Sequence, residues 1–253
     1  MNRERKRFYK QVSIAESSQS PTSYEILLDK RKLKTPVGKL ITIDNELLAL
    51  ALANEWNQQT KSIDLASMHI SSLLNTLIDD PLKVTKEQLI EKMMYFLDWD
   101  TILYRSDSPE DFQQLQIKSW DPMIAFINEQ FKTNFQPTSD LNVKELIDSR
   151  DRDVLKKYLM NFDQPSLAMV MFMIEQLKSI LLTVCVLKQF HPVDTIATLA
   201  RLETEYQISC WSNVPYYHDY EIMDMRSKVS AAYLIFYCLN NNVTRTVIDK
   251  NLV

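Results

Sequence analysis

A single glycine, Gly38, is present in this chain of 253 residues. Loops that bind phosphate groups through patterns such as G-x-G-x-x-G or G-x-x-x-x-G-K-[ST] need several glycines, because the backbone must approach the phosphates closely. Neither pattern can be written in this sequence. Nucleotide binding through these standard loops is therefore excluded, which leaves open only a nucleotide site of another kind.

The composition is that of an ordinary soluble globular protein, with 45% hydrophobic residues, 25% charged residues and a formal net charge of −4. This acidic balance argues against a nucleic-acid partner, because phosphate binding depends on clustered lysine and arginine. We interpret the one basic cluster, residues 3–10, as a solvated tail in preference to an electrostatic contact. No apolar run reaches the roughly 18 to 20 residues of a membrane span, so we expect no membrane insertion.

Three cysteines at wide spacings predict neither a disulfide framework nor a zinc site, and they fit a reducing compartment. The start of the chain carries no secretory signal, and the basic stretch is too short for a full amphipathic transit peptide. If the protein enters an organelle, we expect its leader to be absent from this chain.

An antiparallel sheet is predicted near the N-terminus, because residues 8–43 hold short runs with a strand period between turn signals. Pro36 two residues before Gly38 indicates a tight turn in which glycine adopts a positive φ. Asp44 is predicted to cap a helix that covers this sheet and reaches about Thr60. With a second helical segment from Ser67 to Asp79, this gives a β-rich N-terminal domain over residues 7–80.

Residues 84–240 have a helical pattern for most of their length and predict a helical bundle domain, followed by a polar tail at 241–253. The fold class is therefore α+β, with the small antiparallel domain first. Apolar residues from Leu167 to Val184 follow one face and predict a central helix. A further helix is expected to start at His191-Pro192 and to run on through Cys210.

Glu203 is unusual on the helix expected from His191-Pro192 through Cys210. It is a charged residue on a face that is otherwise formed by Ile196, Leu199, Tyr206 and Cys210. A lone buried carboxylate is costly, so Glu203 must be paired, lie at the edge of the apolar stripe, or face a cleft or a partner.

No catalytic constellation is recognised in the sequence. The three histidines, His69, His191 and His218, belong to different segments without the spacing of a helical metal site. His218 with Asp219 and Glu221 could form a metal or acid–base group, but Asp219 beside a helix start is more often a cap. We expect no cofactor and no metal.

Short phrases distributed along the chain resemble one family. The N-terminal phrases are Arg7-Phe8-Tyr9, Tyr24 to Asp29, and Arg31 with Leu33-Lys34-Thr35-Pro36. The middle phrases are Glu55-Trp56, Met68 with Asn75-Thr76 and Asp79, Asp100 with Tyr104-Arg105, and Trp120-Asp121-Pro122. The C-terminal phrases are Gln176-Leu177-Lys178-Ser179, Arg201-Leu202-Glu203 with Glu205-Tyr206-Gln207, Trp211, and His218-Asp219-Tyr220-Glu221. In this order they resemble the mitochondrial ATP synthase F(1) complex assembly factor 2 family.

The resemblance implies a chaperone of the mitochondrial matrix that is not an enzyme and that binds the unassembled α subunit of the F(1) sector. Such a chaperone would shield the subunit interface of α from aggregation until the β subunit replaces it, and it is expected to be monomeric when free. The chain departs from the family pattern in two respects. Three positions that are usually glycine are Ser212, Cys185 and Ala232 here, and the segment 131–164 lacks the family's usual glycine- and proline-containing stretch.

The acidic and aromatic stretch near the C-terminus is predicted to bind the partner, because aromatic anchors with a charged rim suit an interface that can separate. The predicted residues are Glu203, Glu205, Tyr206, Trp211, Asp219, Tyr220 and Glu221. Two alternatives remain at this point. One is a metal-dependent hydrolase that uses the acidic residues with His218, and the other is a helical scaffold with a different client.

Overall fold

The computed structural model describes residues 5–18, 20, 22–140 and 146–241. The chain divides into two compact units, one formed by residues 1–83 with 234–253 and the other by residues 84–233. The polar tail predicted for residues 241–253 lies outside the described residues, apart from Asn241. In the part of the chain that the structure describes, every helix falls short of the length or the hydropathy that a membrane-spanning helix requires.

A small antiparallel sheet forms the first part of the smaller unit. Its strands are β2 (Val12–Glu16), β3 (Tyr24–Leu28), β4 (Arg31–Lys32) and β5 (Thr42–Ile43), and β3 pairs with each of the other three. Helix α1 (Glu46–Asn57) packs on β2 and β3 and buries Leu48 and Leu52. Two short strands that the sequence did not predict, β1 (Arg5–Lys6) and β6 (Ser62–Ile63), pair with each other.

The turn at Gly38 has the predicted conformation. The Gly38 amide donates to Thr35 O at 2.9 Å, and Gly38 has φ +94°. A Cβ atom built on Gly38 would have no neighbour within 4 Å, so backbone conformation and not space favours glycine here. The predicted cap of α1 is displaced by one residue: Asn45 Oδ1 accepts from the Leu48 amide, whereas Asp44 accepts from Ser23 Oγ at 2.6 Å.

Helix α2 (His69–Asp79) receives its N-terminal cap from another helix. Met68, at the capping position, has no side-chain acceptor. The Glu55 carboxylate of α1 accepts from the amides of Ile70 and Ser71, each at 2.8 Å, and from Ser71 Oγ at 2.5 Å. A carboxylate at this end of a helix satisfies otherwise unpaired amides and interacts favourably with the helix dipole.

The larger unit is helical. Its helices are α3 (Lys86–Asp98), α4 (Glu110–Phe131), α5 (Ser149–Met160), α6 (Gln164–Leu177), α7 (Ile180–Leu187), α8 (Val193–Ala200), α9 (Leu202–Trp211) and α10 (Tyr217–Asn240), and the last residues of α10 belong to the smaller unit. Helix α7 is buried from Ile180 to Val186 and packs against α3, α4, α6 and α8. A small antiparallel sheet followed by a helical bundle confirms the predicted α+β class.

The central helix expected after Pro165 is interrupted, and the prediction of one continuous helix is wrong. Lys178 adopts the left-handed conformation, with φ +56°, and Ser179 starts a new helix by accepting from the Leu182 amide at 2.9 Å. The apolar periodicity continues across this break, so the pattern could not reveal it. Because the chain has one glycine, Lys178, Lys132 and Asp80 take left-handed helix-ending positions that glycine usually fills.

Asp100 stabilises this break from a distant part of the chain. Its carboxylate, completely buried, accepts from Ser179 Oγ at 2.6 Å, from the Leu181 amide at 2.9 Å and from the Ile102 amide at 3.2 Å. Burial raises the pKa of Asp100 from 3.8 to about 6, although these hydrogen bonds act in the opposite direction.

The raised pKa of Asp100 predicts an unusual pH dependence. The folded protein binds this proton more tightly than the unfolded chain does, so the contribution of Asp100 to the unfolding free energy falls as the pH rises from about 4 to about 6. The Asp100→Asn variant keeps a carbonyl acceptor but does not titrate. We expect the stability of the variant relative to wild type to increase over this interval by up to roughly 3 kcal/mol, at about 1.4 kcal/mol per pKa unit.

Urea unfolding at several pH values between about 4 and 7 measures this difference. The control is Asp153→Asn on α5, which removes an exposed carboxylate and should leave the difference nearly flat. A stability difference between Asp100→Asn and wild type that does not change with pH would contradict the raised pKa.

Candidate partner-binding surface

The stretch predicted to bind a partner begins at a helix break that the sequence pattern did not reveal. Arg201, with φ −109° and ψ 20°, separates α8 from α9. Helix α8 buries Ile196 and Ala197, whereas only Leu202 is buried on α9. The expectation of one apolar stripe extending through Glu203 is therefore wrong, and Glu203 is exposed.

Arg201 is the buried centre of this region, and its side chain is 4% exposed. Its guanidinium contacts Glu221 Oε2 at 2.8 Å and Glu205 Oε1 at 3.6 Å, and Nη1 lies 3.5 Å from His218 O. One cation therefore connects the first turn of α9 with the first turns of α10. The predicted site residues Glu205 and Glu221 have this structural role while remaining at the surface.

Two other predicted residues differ in their surroundings. The Glu203 carboxylate accepts only from Gln207 Nε2, at 3.3 Å, among the described residues. Tyr206 is half-buried instead and contacts α4: its hydroxyl donates to Asp111 at 2.9 Å, and its ring lies 4.7 Å from that of Phe112. Burial and the hydrogen bond to Asp111 raise the pKa of the Tyr206 hydroxyl. Tyr206 therefore attaches α9 to α4.

The exposed aromatic face is formed by the end of α9, the following loop and the start of α10. Trp211 is 76% exposed, Tyr216 88% and Tyr220 69%. We use this name for the large apolar side chains that are exposed along this stretch, which are Trp211, Val214, Tyr216, Tyr217, Tyr220 and Met223. Of these, only Trp211 and Tyr220 were predicted, although the adjacent tyrosines 216 and 217 were a visible signal. A group of large apolar side chains exposed together marks an interaction site.

The loop that carries this face is tied to α10 by Asp219. One Asp219 oxygen accepts from Asn213 Nδ2 at 3.1 Å and the other from the Tyr216 amide at 3.2 Å. His218 Nδ1 lies 3.2 Å from the Val214 amide. Within the described ranges, no group of three or more histidine, cysteine or carboxylate side chains could hold a metal ion. Asp219 and His218 thus order the loop.

Backbone strain is present at both ends of the loop. Ser212 has φ +75° and ψ 158°, a combination that is essentially restricted to glycine, and Tyr216 has φ +69°. Serine therefore occupies a conformation that suits glycine much better. Strain of this kind persists only where surrounding contacts impose it.

A groove of about 540 Å³ lies within this surface, and we call it the tyrosine groove. It is lined by Pro215, Tyr216, Tyr217, Tyr220, Glu221 and Asp224. A larger cleft of about 860 Å³ lies beside α5, but its charged side chains other than the exposed Arg150 have contacts within the fold. There Asp151 accepts from the Asn134 amide, Asp148 caps α5, and Arg152 pairs with Asp98. The tyrosine groove is therefore the better candidate for binding.

The first prediction from this geometry concerns Arg201. In Arg201→Met, Glu205 and Glu221 lose their shared cation, while an unbranched apolar side chain replaces the aliphatic stem of the arginine. We expect the unfolding free energy to fall by about 2 kcal/mol and chymotrypsin to cleave faster at the tyrosines of the loop. Arg150→Met, which removes an exposed arginine from α5, should change neither quantity. Equal stability of both variants would show that the Arg201 pairs contribute nothing.

The second prediction concerns the strain at Ser212. Ser212→Gly should raise the unfolding free energy by roughly 1 kcal/mol, because relief of strain exceeds the entropy that glycine adds to the unfolded chain. The same chemical change at Ser209, inside α9, should lower it by about 0.5 to 1 kcal/mol. Urea unfolding measures whether the two variants change the unfolding free energy in opposite directions. A loss of stability in Ser212→Gly would contradict the strain at this residue.

Comparison with known proteins agrees with the resemblance found in the sequence. Residues 6–128 match the family model described as ATP12 chaperone protein. Protein atp12, mitochondrial, of Schizosaccharomyces pombe is 26% identical over 228 residues, which cover 85% of this chain and 78% of that protein. Protein ATP12, mitochondrial, of Saccharomyces cerevisiae is 27% identical over 267 aligned residues, which cover 89% of this chain and 82% of that protein.

The fold is also similar to a solved structure. The crystal structure of Atp12 from Paracoccus denitrificans superposes with a TM-score of 0.79 at 21% sequence identity, covering 92% of this chain and 98% of that one. The resemblance recognised from the sequence phrases is thus confirmed, because both the family model and the mitochondrial ATP12 proteins of the two yeasts match this chain.

Proposed function

We propose that this protein is a chaperone of ATP synthase assembly that binds the unassembled α subunit of the F(1) sector. It shields the subunit interface of α from aggregation until the β subunit replaces it, and it acts in the mitochondrial matrix. The match of residues 6–128 to the ATP12 chaperone family model and the mitochondrial names of both yeast relatives support the proposal.

The observation that carries the proposal is the exposed aromatic face on a framework fixed by Arg201. Unassembled subunits expose apolar surface that later becomes an interface, and such surface aggregates unless it is covered. Trp211, Tyr216 and Tyr220 present large rings with few rotatable bonds, which is typical of residues that dominate interface energies. Because Asp219 and Arg201 already order the segment, little conformational entropy is lost on binding.

The surroundings of this face suit a partner that must later be released. Exposed carboxylates at Glu203, Asp219 and Glu221 give it a polar rim that stays in contact with water. Charged groups at a rim contribute to partner choice and association rate more than to affinity. A client held by a few aromatic anchors within such a rim can be displaced by a partner that covers more area.

The function is proposed to be binding without chemical change in the client. The metal-dependent hydrolase considered above would need Glu221, His218 and Asp219 as ligands or as acid and base groups. In the structure, Glu221 pairs with Arg201, while His218 and Asp219 contact the 213–216 loop. These contacts support a structural role for all three residues.

Glu203 provides the direct test. Because its carboxylate is exposed and has one long hydrogen bond, Glu203→Lys should leave thermal stability nearly unchanged. The reversed charge at the rim should reduce, by several-fold, the amount of soluble α subunit recovered when α is co-expressed with this protein. Soluble α is measured after centrifugation, and the melting temperature is measured separately by circular dichroism.

The matched control is Glu91→Lys, which makes the same charge change at an exposed position of α3 and should protect α as well as wild type does. If α precipitates equally with and without the wild-type protein, the proposed function is wrong. If Glu203→Lys unfolds the protein, Glu203 is structural and its assignment to the binding surface fails.

A further inference from the structure

The tyrosine groove has features that a purely apolar client would not require. We propose that it binds an arginine side chain of the client, so that the recognised segment is an apolar stretch that carries an arginine. This inference rests on the proposed chaperone function and adds to it the chemistry by which a client segment is chosen.

The shape and lining of the groove fit a flat cation. Three exposed tyrosine rings, at 216, 217 and 220, stand beside Pro215 around a space of about 540 Å³. The electron-rich face of an aromatic ring attracts a cation, by about 0.5 to 2 kcal/mol depending on exposure. The same rings exclude water from the aliphatic stem that precedes the guanidinium.

The charge of the region favours a cationic guest. Residues 203–224 contain five carboxylates and neither lysine nor arginine. Arg201 and Lys228 neutralise two of these acids, through Glu221 Oε2 and Asp224 Oδ2. Five carboxylates against two cations leave the surface negative.

The two carboxylates in the groove each retain an oxygen for a guest. Glu221 Oε1 and Asp224 Oδ1 accept no hydrogen bond from any residue that the structure describes. A guest cation can therefore use them without breaking the pairs with Arg201 and Lys228.

Arginine fits this groove better than lysine does. The guanidinium is planar, stacks on aromatic rings and donates several hydrogen bonds in a fixed geometry, whereas an ammonium is compact and strongly hydrated. Stacking on Tyr220 while donating to Glu221 uses both properties of the guanidinium at once. We therefore expect arginine to bind more tightly than lysine, and lysine more tightly than any neutral side chain.

Citrulline peptides test the role of charge at constant shape. The probe is a short fluorescent peptide of leucine, alanine and serine with one central arginine, and its partner has citrulline, a neutral side chain of the same size. We expect the citrulline peptide to bind at least about tenfold more weakly in fluorescence anisotropy, with the lysine peptide between the two. Added salt should reduce this preference.

Protein variants locate the effect. Tyr220→Leu should bring the arginine peptide close to the affinity of the citrulline peptide. Tyr95→Leu on α3, which changes a tyrosine of similar exposure (66% against 69%), should retain the preference. Equal binding of arginine and citrulline peptides to wild type would overturn the inference. The inference would also be overturned if the free protein formed a dimer and Tyr220→Leu abolished that dimer, because a second copy of the chain would then occupy the groove.

The same proteins, tested with the α subunit, separate this inference from the function on which it rests. If wild type keeps α soluble but shows no preference for arginine, the arginine site is rejected and the chaperone function stands. If the preference is present but α precipitates regardless, the arginine site stands and α is rejected as the client.

Discussion

The buried guanidinium of Arg201 holds the C-terminal part of the larger unit in the shape on which the exposed aromatic face depends. A buried cation is destabilising unless it is paired, and here Glu205 and Glu221 provide the charge while His218 provides a carbonyl. Both carboxylates keep part of their surface in water, so Glu205 and Glu221 neutralise Arg201 while they remain at the protein surface. The same acids can therefore serve the fold and the surface together.

Carboxylates from distant positions have a comparable role elsewhere in the molecule. Glu55 caps α2, whose own capping position is a methionine, and Asp100 accepts hydrogen bonds at the start of α7. Helix ends leave unpaired amides that must be satisfied when they are buried. With one glycine in the chain, helix junctions depend on such contacts and on residues such as Lys178 that tolerate the left-handed conformation.

These junctions explain how a protein of this kind can present aromatic rings to solvent without collapsing onto them. The loop between α9 and α10 is held by Asp219, α9 is attached to α4 by Tyr206, and Arg201 joins α9 to α10. Strain at Ser212 and Tyr216 is maintained by this set of contacts. The result is a preorganised surface, which suits a protein proposed to hold an aggregation-prone client and then release it.

The sequence by itself determined the α+β class, the turn at Gly38, the exclusion of glycine-rich phosphate loops and, through its ordered phrases, the family that the chain resembles. These features depend on local periodicity, on the backbone freedom of single residues and on composition. The tertiary structure alone decided the breaks at Lys178 and Arg201, because apolar periodicity continues across both and their stabilising partners, Asp100 and Glu221, lie far along the chain. It also decided that Tyr206 contacts Asp111 while Tyr216 and Tyr217 face solvent, since the direction of a side chain depends on which distant residue packs beside it.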